Sequence, residues 1–352
     1  MPLINTEGLT LSPEEAQSVS EVIFERVFND GELAEFHDIE TGITMKKQIP
    51  FAGRIGLLGR AFDGCTPPEE GGFEMSEKFW DPVMEGFRLK HCAADMDPLI
   101  KLFRRAQRVN PDFFDRVGSD ELSVVITAVE KAMIENLHRQ IWFSDKTASL
   151  MSAGGNFKTG TDLTYWNTFD GLFKQIFAEV PTTASNYVAI PVNAGANYAA
   201  QALAADAAVG IFEKMLQKAD SRLLDSGEGY FLATRSLAEN YRSTLLNKTL
   251  SNGFIEITEG GKQKLVFSGY EVKVRNDWDR WIESYQNNTV KKALPHRAVF
   301  TTKANIPVGT LSTEDLDTLR SFFDQVGLQN IMDAAYTLDA KHLEPYMTVA
   351  AY

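Results

Sequence analysis

Two glycine-containing segments are the first candidates for chemistry, because loops of this composition often bind phosphate. Three glycines at three-residue intervals begin at Gly53, and the segment 154–161 contains the residue types of a phosphate-binding loop. The first segment lacks the dinucleotide-binding spacing and a following strand–helix pair with a suitably placed acidic residue. In the second, Lys158 precedes Gly160, so the backbone amides and the ammonium group would not converge on one phosphate. Neither segment predicts nucleotide binding.

Metal-binding and acid–base candidates are equally weak. The five histidines show neither H-x-x-x-H nor H-E-x-x-H spacing. They are His37, His91, His138, His296 and His342. His138 falls in a predicted helix, where a hydrogen-bonded structural histidine is the simpler interpretation. Asp277 and Asp279 would diverge on a helix or loop, so the segment 277–281 favours an aromatic surface or interface patch over a catalytic pair. The sequence thus predicts no catalytic residue, no cofactor, no metal site and no enzyme.

The negative net charge argues against a protein whose main function is to bind nucleic acid. The formal net charge is −13 and the sequence pI is about 5.0, whereas phosphate binding requires a basic face. One basic group does have helical spacing, and it consists of Lys101, Arg104, Arg105 and Arg108. It is interpreted either as a solvated face that pairs with acidic residues or as a surface that contacts a partner.

The composition is that of an ordinary globular chain. Its 352 residues are 44% hydrophobic and 24% charged, which suits one large or two moderate domains with a packed core. Cys65 and Cys92 have no metal-binding spacing, so reduced thiols are expected. The first residues do not resemble a signal peptide, and no apolar stretch reaches the length of about 18 residues that a membrane span needs. We expect folding in a cytoplasm and no membrane association.

One helix is predicted before an extended region, and a second helix is predicted after it. An amphipathic helix begins at Ser12, with Pro13 at its first helical position and Gly31 placed to end it. A longer helix is predicted from Asp120 to about Phe143, with Ser119 as its cap. Its apolar stripe is formed by Leu122, Val125, Ile126, Val129, Met133, Leu137 and Ile141. At 1.5 Å per residue this helix is about 36 Å long.

The region between these helices predicts a long two-stranded ribbon. Residues 36–49 and 79–92 carry strand patterns, and the glycine- and proline-rich residues 50–78 between them are unlikely to build a core. An isolated two-stranded ribbon is marginally stable in water, so this one needs a surface to lie on.

Helices and strands alternate irregularly in the rest of the chain. Helices are predicted at 168–177, 196–218 with a break near Gly210, 236–246 and 313–326. Strands are predicted at 230–233, 254–257, 264–267, 271–274, 298–306 and 346–352. Because there is no regular βαβ rhythm, the predicted fold class is α+β.

Several segments resemble a known family. They are Gly42–Phe51 (GITMKKQIPF), Glu77–Trp80 (EKFW), Ile141–Asp145 (IWFSD), Asn167–Phe177 (NTFDGLFKQIF), Arg297–Thr310 (RAVFTTKANIPVGT) and Thr348–Tyr352 (TVAAY). Together they resemble major capsid proteins of tailed phages that have the Hong Kong 97-type fold. The resemblance extends over nearly the whole chain, but it consists of short, scattered segments, and none of them is a motif with a known chemical mechanism.

The resemblance implies a domain organisation. Residues 1–35 correspond to an N-terminal arm and 36–92 to an extended loop that lies over the adjacent subunit. Residues 93–179 and 311–352 correspond to a peripheral domain, with a spine helix at about 120–143. Residues 180–310 correspond to an axial domain. Because the first arm helix starts close to residue 1, we expect a scaffolding segment, if one is used, to be a separate protein or to have been cleaved away already.

The resemblance also implies a function and partners. It predicts pentamers and hexamers that build an icosahedral phage head around double-stranded DNA, which is enclosed without sequence-specific binding. Portal and scaffolding or cement proteins are the further partners expected, and the virion and the host cytoplasm are the expected locations. An encapsulin-type nanocompartment shell, which shares the fold, and a soluble α+β enzyme without a visible site remain alternatives.

The expected subunit contacts lie in the extended loop. The candidates are Met45, Lys46, Lys47, Phe51, Arg54, Arg60, Phe79 and Trp80. In a shell, the basic group at 101–108 could also face the lumen or lie in an interface. Some relatives link a loop lysine covalently to an asparagine, but the partner residues for such a link are not identifiable in this sequence.

Overall fold

The computed structural model describes residues 31–43, 45–52, 75–92, 120–247, 255–257, 263–311, 320–324 and 329–352. The α-helices in these ranges are α1 (Gly31–Phe36), α2 (Asp120–Phe143), α3 (Leu172–Glu179), α4 (Ala207–Lys218), α5 (Ser221–Ser226), α6 (Arg235–Asn247) and α7 (Asn276–Tyr285). The strands before residue 200 are β1 (Ile39–Glu40), β2 (Lys47–Ala52), β3 (Met75–Trp80), β4 (Val83–Cys92) and β5 (Tyr187–Val188). The later strands are β6 (Tyr230–Ala233), β7 (Ile255–Ile257), β8 (Gln263–Phe267), β9 (Tyr270–Val274), β10 (Ala298–Thr301), β11 (Val308–Thr310), β12 (Arg320–Asp324), β13 (Gln329–Ala340) and β14 (Val349–Ala351).

The first sheet is organised around the long strand β13. On one side β13 pairs antiparallel with β4, from Val83 opposite Leu338 to Cys92 opposite Gln329. On its other side it pairs with β12 and then with β11. The short strand β1 runs parallel to β11, so the chain entering the ribbon is tied to this sheet.

The second sheet has the strand order β5-β14-β10-β6-β9-β8-β7. It is mixed, because β5 is parallel to β14 and β9 is parallel to β6, whereas the other pairs are antiparallel. All residues of β6, β10 and β14 are buried, which places these strands in the interior of the molecule. Such continuous apolar runs are typical of strands that are covered on both faces.

Two aromatic-rich cores hold the structure together. In the first, α2, α3 and α7 meet around Trp142, whose ring centroid lies 4.6 Å from that of Trp278 and 5.1 Å from that of Phe173. In the second, α4 packs on the second sheet, and the ring centroid of Phe212 lies 5.1 Å from that of Phe231. Tilted and edge-on ring pairs at these distances add stability beyond the area that they bury.

Several predicted elements are confirmed. The long helix α2 has the predicted limits, Asp120–Phe143, and the members of its stripe whose side chains are described, Met133, Leu137 and Ile141, are buried. The strand at 230–233 is present, and so is the hairpin of β7 and β8. The mixture of helices and sheets agrees with the predicted α+β class.

Two predicted helices are wrong in part. Residues 320–324 belong to the strand β12, because they form a ladder with β13 that overrides the local helical pattern. Within 196–218 only Ala207–Lys218 is helical, and Gly210 does not break the helix. Asp206, with a φ angle of +61°, precedes the first helical residue. The predicted strand at 298–306 ends at Thr301, and a 3₁₀ turn follows it.

The predicted ribbon is also shorter than expected. Its second strand divides at Asp81 and Pro82, so that β3 pairs with β2 while β4 belongs to the first sheet. Proline lacks the backbone donor that a continuous ladder requires. The predicted helix beginning at Ser12 and the basic group at 101–108 lie outside the described residues.

Candidate functional site

The ribbon consists of β2 and β3, which run antiparallel from Lys47 opposite Trp80 to Ala52 opposite Met75. Each strand has six residues, which corresponds to a length of about 20 Å. Among the described residues the two strands pair only with each other and join neither larger sheet. The feature that the sequence predicted, a ribbon with no sheet of its own to support it, is therefore present in shortened form.

The base of the ribbon is anchored against β11. Trp80 and Ile43 are fully buried there, and the Ile43 amide donates a hydrogen bond of 3.1 Å to the Thr310 carbonyl. Gly309 makes this packing possible, because a Cβ atom on it would lie 2.8 Å from both the Ile43 and the Trp80 side chains. Trp80, a predicted subunit contact, is 1% exposed in the single chain. Its role is to fix the ribbon to the body.

A second anchor is an ion pair between the ribbon and α3. The Lys78 ammonium group donates to both carboxylate oxygens of Glu179, at 2.8 and 2.7 Å, and to the His342 carbonyl at 2.5 Å. The His342 ring extends the network, since its Nδ1 lies 2.8 Å from Glu179 and its Nε2 lies 2.9 Å from the Thr348 hydroxyl. The network thus connects β3, α3 and the segments on either side of the last 3₁₀ turn.

The titration behaviour of this network follows from its burial. Desolvation raises the pKa of Glu179, but the hydrogen bonds from His342 and Lys78 outweigh it, so that the net pKa lies below its ordinary value. Burial lowers the pKa of His342, against the opposing effect of its hydrogen bond to Glu179. A neutral His342 with its proton on Nδ1 satisfies both contacts, because Nδ1 then donates to Glu179 and Nε2 accepts from Thr348. With His342 neutral, the Lys78 ammonium group is the positive charge that balances the Glu179 carboxylate.

The turn between β3 and β4 is fixed by a buried carboxylate. The Asp81 amide donates to Asp339 at 2.7 Å, and Lys341 lies 3.1 Å from the same carboxylate. Asp339 is fully buried, and desolvation raises its pKa despite the nearby Lys341. These contacts set the direction in which the ribbon leaves the first sheet.

Large apolar and basic side chains are exposed on the ribbon and in the two residues before its first strand. Met45 is 73% exposed and Phe79 is 40% exposed. Lys46 and Lys47 are exposed as well, and the Lys46 ammonium lies 4.9 Å from the centre of the Phe79 ring. The remaining predicted contacts, Arg54, Arg60 and the Phe51 side chain, lie outside the described residues, as do Lys101, Arg104, Arg105 and Arg108.

The polar residues that were considered for chemistry have structural roles. Asp277 pairs with the buried Arg275, with an oxygen–nitrogen distance of 2.5 Å, and Arg275 also lies 3.1 Å from His138. Asp279 accepts a hydrogen bond of 2.7 Å from the Arg235 amide at the start of α6, and burial raises its pKa to about 6. Trp278 is buried in the first core, so the expected surface patch at 277–281 is wrong for this residue.

The described residues contain neither a metal site nor a membrane-spanning helix. Among the described residues, no group of three or more His, Cys, Asp or Glu side chains could hold a metal ion. No helix in the same part of the chain is long and apolar enough to cross a membrane.

The anchoring network could not be found from the sequence. Lys78 and Glu179 are 101 residues apart, and His342 is a further 163 residues along the chain. None of the three has a local motif around it.

Sequence comparisons identify no relative, since no family model and no curated protein matches this chain. Comparison with solved structures identifies chains of similar fold. A chain in the procapsid of satellite phage P4, a structure that includes the size determination (Sid) protein, matches with a TM-score of 0.57 at 10% identity. The match covers 98% of this chain and 93% of that one. A chain in the capsid of a native GTA particle matches with a TM-score of 0.48 at 11% identity, over 100% of this chain and 93% of that one.

The chain therefore has the fold of phage capsid proteins. This conclusion rests on the match to the P4 procapsid, which extends over nearly the full length of both chains. It confirms the fold that the sequence resemblance implied.

Proposed function

We propose that this protein is a major capsid protein, which assembles through pentamers and hexamers into the icosahedral head of a tailed phage. The observation that carries the proposal is the ribbon: two strands anchored at one end, exposing Met45 and Phe79, and paired with no third strand among the described residues. The phage capsid fold supports the same conclusion.

A ribbon of this kind is stabilised by binding a neighbour. Covering a large apolar side chain contributes about 1.5–3 kcal/mol, so Met45 and Phe79 together can support a specific contact of modest strength. In a closed shell each subunit makes several such contacts, and ring closure makes the whole far more stable than any one of them. Modest individual contacts also allow one sequence to fit both pentamers and hexamers.

The proposed content of the shell is double-stranded DNA, enclosed without sequence-specific binding. The net charge of −13 supports this view, because a lining that bound phosphate tightly would require an excess of basic residues. Portal and scaffolding or cement proteins are the proposed further partners. The proposed locations are the virion and, during assembly, the host cytoplasm.

The test is a double substitution on the exposed face of the ribbon, Met45→Asp with Phe79→Asp. Because both side chains are exposed, the subunit is expected to fold normally, with unchanged circular dichroism. Electron microscopy is expected to show no closed particles, since the charges cannot be buried in the contact. Leu246→Asp, on an exposed position of α6, is the control and is expected to assemble. Normal shells from the double variant would contradict the proposal.

The content of the particles separates the proposal from a nanocompartment. Particles purified from phage-producing cells are expected to protect double-stranded DNA from nuclease. A co-purified enzyme in place of DNA would instead indicate an encapsulin-type shell, which would share the fold.

A further inference from the structure

A groove lies between β4 and the C-terminal half of α2. It has a volume of about 540 Å³ and is lined by residues of 83–87, of 132–140 and of 164–168 and by Tyr336. It opens to solvent at Met84 and Tyr165, which are 74% and 61% exposed. A groove of this volume, with apolar side chains around a few polar groups, is typical of a site for a small ligand.

The polar side chains of the groove form a hydrogen-bond network. The Tyr336 hydroxyl donates to Glu85 at 3.1 Å and lies 3.2 Å from the side-chain oxygen of Gln140. Asn136 donates to the Tyr336 hydroxyl at 2.6 Å and to Gln140 at 3.1 Å. Arg139 donates in turn to the side-chain oxygen of Asn136. These contacts fix the positions of the groups below the groove.

Two atoms of this network have no partner. Glu85 is 8% exposed, and its Oε1 accepts no hydrogen bond from the described residues. The Nε of Arg139 is buried, and it donates to no group in the same part of the chain. Burial raises the pKa of Glu85 and lowers that of Arg139, because desolvation disfavours both charged forms. The groove therefore offers one acceptor and one donor that a bound ligand would satisfy.

An aromatic surface borders these two groups. The guanidinium carbon of Arg139 lies 5.8 Å from the ring centre of Tyr165 and 5.0 Å from that of Trp166. Trp166 is buried, whereas the exposed Tyr165 ring has a face available to another planar group. Aromatic rings and guanidinium planes are the surfaces on which unpaired bases stack in proteins.

A ligand enters this groove past the side chain of Met84. The unpaired atoms of Glu85 and Arg139 lie below the groove surface, so a side chain has to move before a ligand reaches them. Met84 is exposed and unbranched, and its three rotatable bonds let it swing aside at little cost. The opening therefore needs no movement of the backbone.

We propose that this groove binds a nucleobase, which belongs either to a free nucleoside or to an unpaired nucleotide of a nucleic acid. The base stacks on Tyr165, donates an N–H group to Glu85 and accepts a hydrogen bond from Arg139. Every base carries a donor and an acceptor side by side on its Watson–Crick edge, and this edge is inaccessible in a duplex. A peptide group offers the same pair of atoms but no flat ring to cover Tyr165. This inference goes beyond the proposed function and does not depend on assembly.

Binding to the full-length protein is the test. Isothermal titration calorimetry with deoxycytidine and deoxyadenosine probes the free nucleoside. Fluorescence anisotropy with a labelled single-stranded oligodeoxycytidine, and with the same strand in a duplex, probes the nucleic acid. Saturable binding of a nucleoside or of the single strand, but not of the duplex, is expected, with an affinity that changes little with salt. Binding of the single strand alone that is lost at high salt would reflect phosphate contacts and would overturn the inference.

Substitutions of Tyr165 test the stacking surface. Tyr165→Ala is expected to weaken binding about tenfold, because the base loses its stacking partner. Tyr165→Phe retains the ring and is expected to bind as the unaltered protein does. Tyr198→Ala is the matched control, since Tyr198 is an exposed tyrosine outside the groove, and it is expected to leave the affinity unchanged. Equal affinities of Tyr165→Ala and the unaltered protein would overturn the inference.

Glu85→Gln tests the unpaired acceptor and decides the matter if Tyr165→Ala fails to fold. The Tyr336 hydroxyl then donates to the amide oxygen, so an NH₂ group replaces the free acceptor and faces the donor of the base. The affinity is expected to fall about tenfold, since a buried donor is left opposite another donor. An unchanged affinity in this variant, or no saturable binding of any probe at nucleoside concentrations up to about 10 mM, would contradict the proposed site.

Discussion

At the scale of single residues, the contact between Lys78 and Glu179 determines how firmly the ribbon is held. Lys78 satisfies both carboxylate oxygens and the His342 carbonyl, and its removal leaves a half-buried carboxylate without its cation. Such a loss is more costly than that of an exposed ion pair, in which water takes over the hydrogen bonds.

Lys78→Met is therefore expected to lower the free energy of unfolding by about 1–3 kcal/mol, measured by urea denaturation. Lys146→Met is the matched control, because Lys146 is exposed and lies 3.5 Å from Asp81 at the same end of the ribbon. Its effect is expected to stay below about 0.5 kcal/mol. Equal effects of the two substitutions would show that the Lys78 network does not anchor the ribbon.

Acid is expected to destabilise the subunit through its buried histidines. Burial lowers the pKa of His37 to about 3 and also lowers that of His342, whereas an unfolded histidine titrates near 6.5. Between these values the unfolded chain binds more protons than the folded one, so stability falls as the pH decreases from about 6.5. Glu179 adds to the loss at lower pH, because its folded pKa lies below the unfolded value.

Urea denaturation at a series of pH values between 7 and 4 measures this effect. His37→Gln, which can retain a donor toward the Ile306 carbonyl, is expected to make the stability curve flatter below about pH 6.5. A curve of unchanged slope in this variant would refute the role assigned to His37.

At the scale of elements, two glycines separate the effect of tight side-chain packing on stability from the effect of helix propensity. Gly309 lies against Ile43 and Trp80, where a Cβ atom would be 2.8 Å from each side chain. Gly210 lies within α4, and a Cβ atom there would meet nothing within 4 Å.

Gly309→Ala is expected to destabilise the subunit by about 1–3 kcal/mol, because the added methyl group must displace the base of the ribbon. Gly210→Ala is expected to stabilise it by about 0.5–1 kcal/mol, because alanine is the better helix former. Thermal unfolding of the two variants checks both signs. A neutral Gly309→Ala would show that the contact between the base of the ribbon and β11 is loose.

The elements also show what sequence reasoning can predict. α2 has a long apolar stripe and a predicted cap at Ser119, and these local signals were enough to predict its limits. The residues of β12 were predicted to be helical, because their local pattern is helical. Their strand conformation depends on pairing with β13, which in turn pairs with β4, more than 200 residues earlier in the chain. Likewise, the pattern at 79–92 predicted extended chain correctly but did not reveal that β4 pairs with β13 and not with the ribbon.

At the scale of the whole molecule, the resemblance of scattered segments predicted the fold, and the structural match to the P4 procapsid confirms it. The subunit-contact surface stays a prediction. Of its candidate residues, Met45, Lys46, Lys47 and Phe79 are exposed, whereas Trp80 is buried. Whether Trp80 is exposed depends on residues far away in the sequence, such as Gly309, so the local sequence pattern cannot predict its burial.

The central claim is that copies of this chain bind one another to form a closed shell. The most direct measurement is negative-stain electron microscopy of the purified, unaltered protein, alone and together with the products of its neighbouring genes. We expect hollow icosahedral particles, or rings of five and six subunits. A uniformly monomeric protein under both conditions, at concentrations where capsid proteins assemble, would contradict the account.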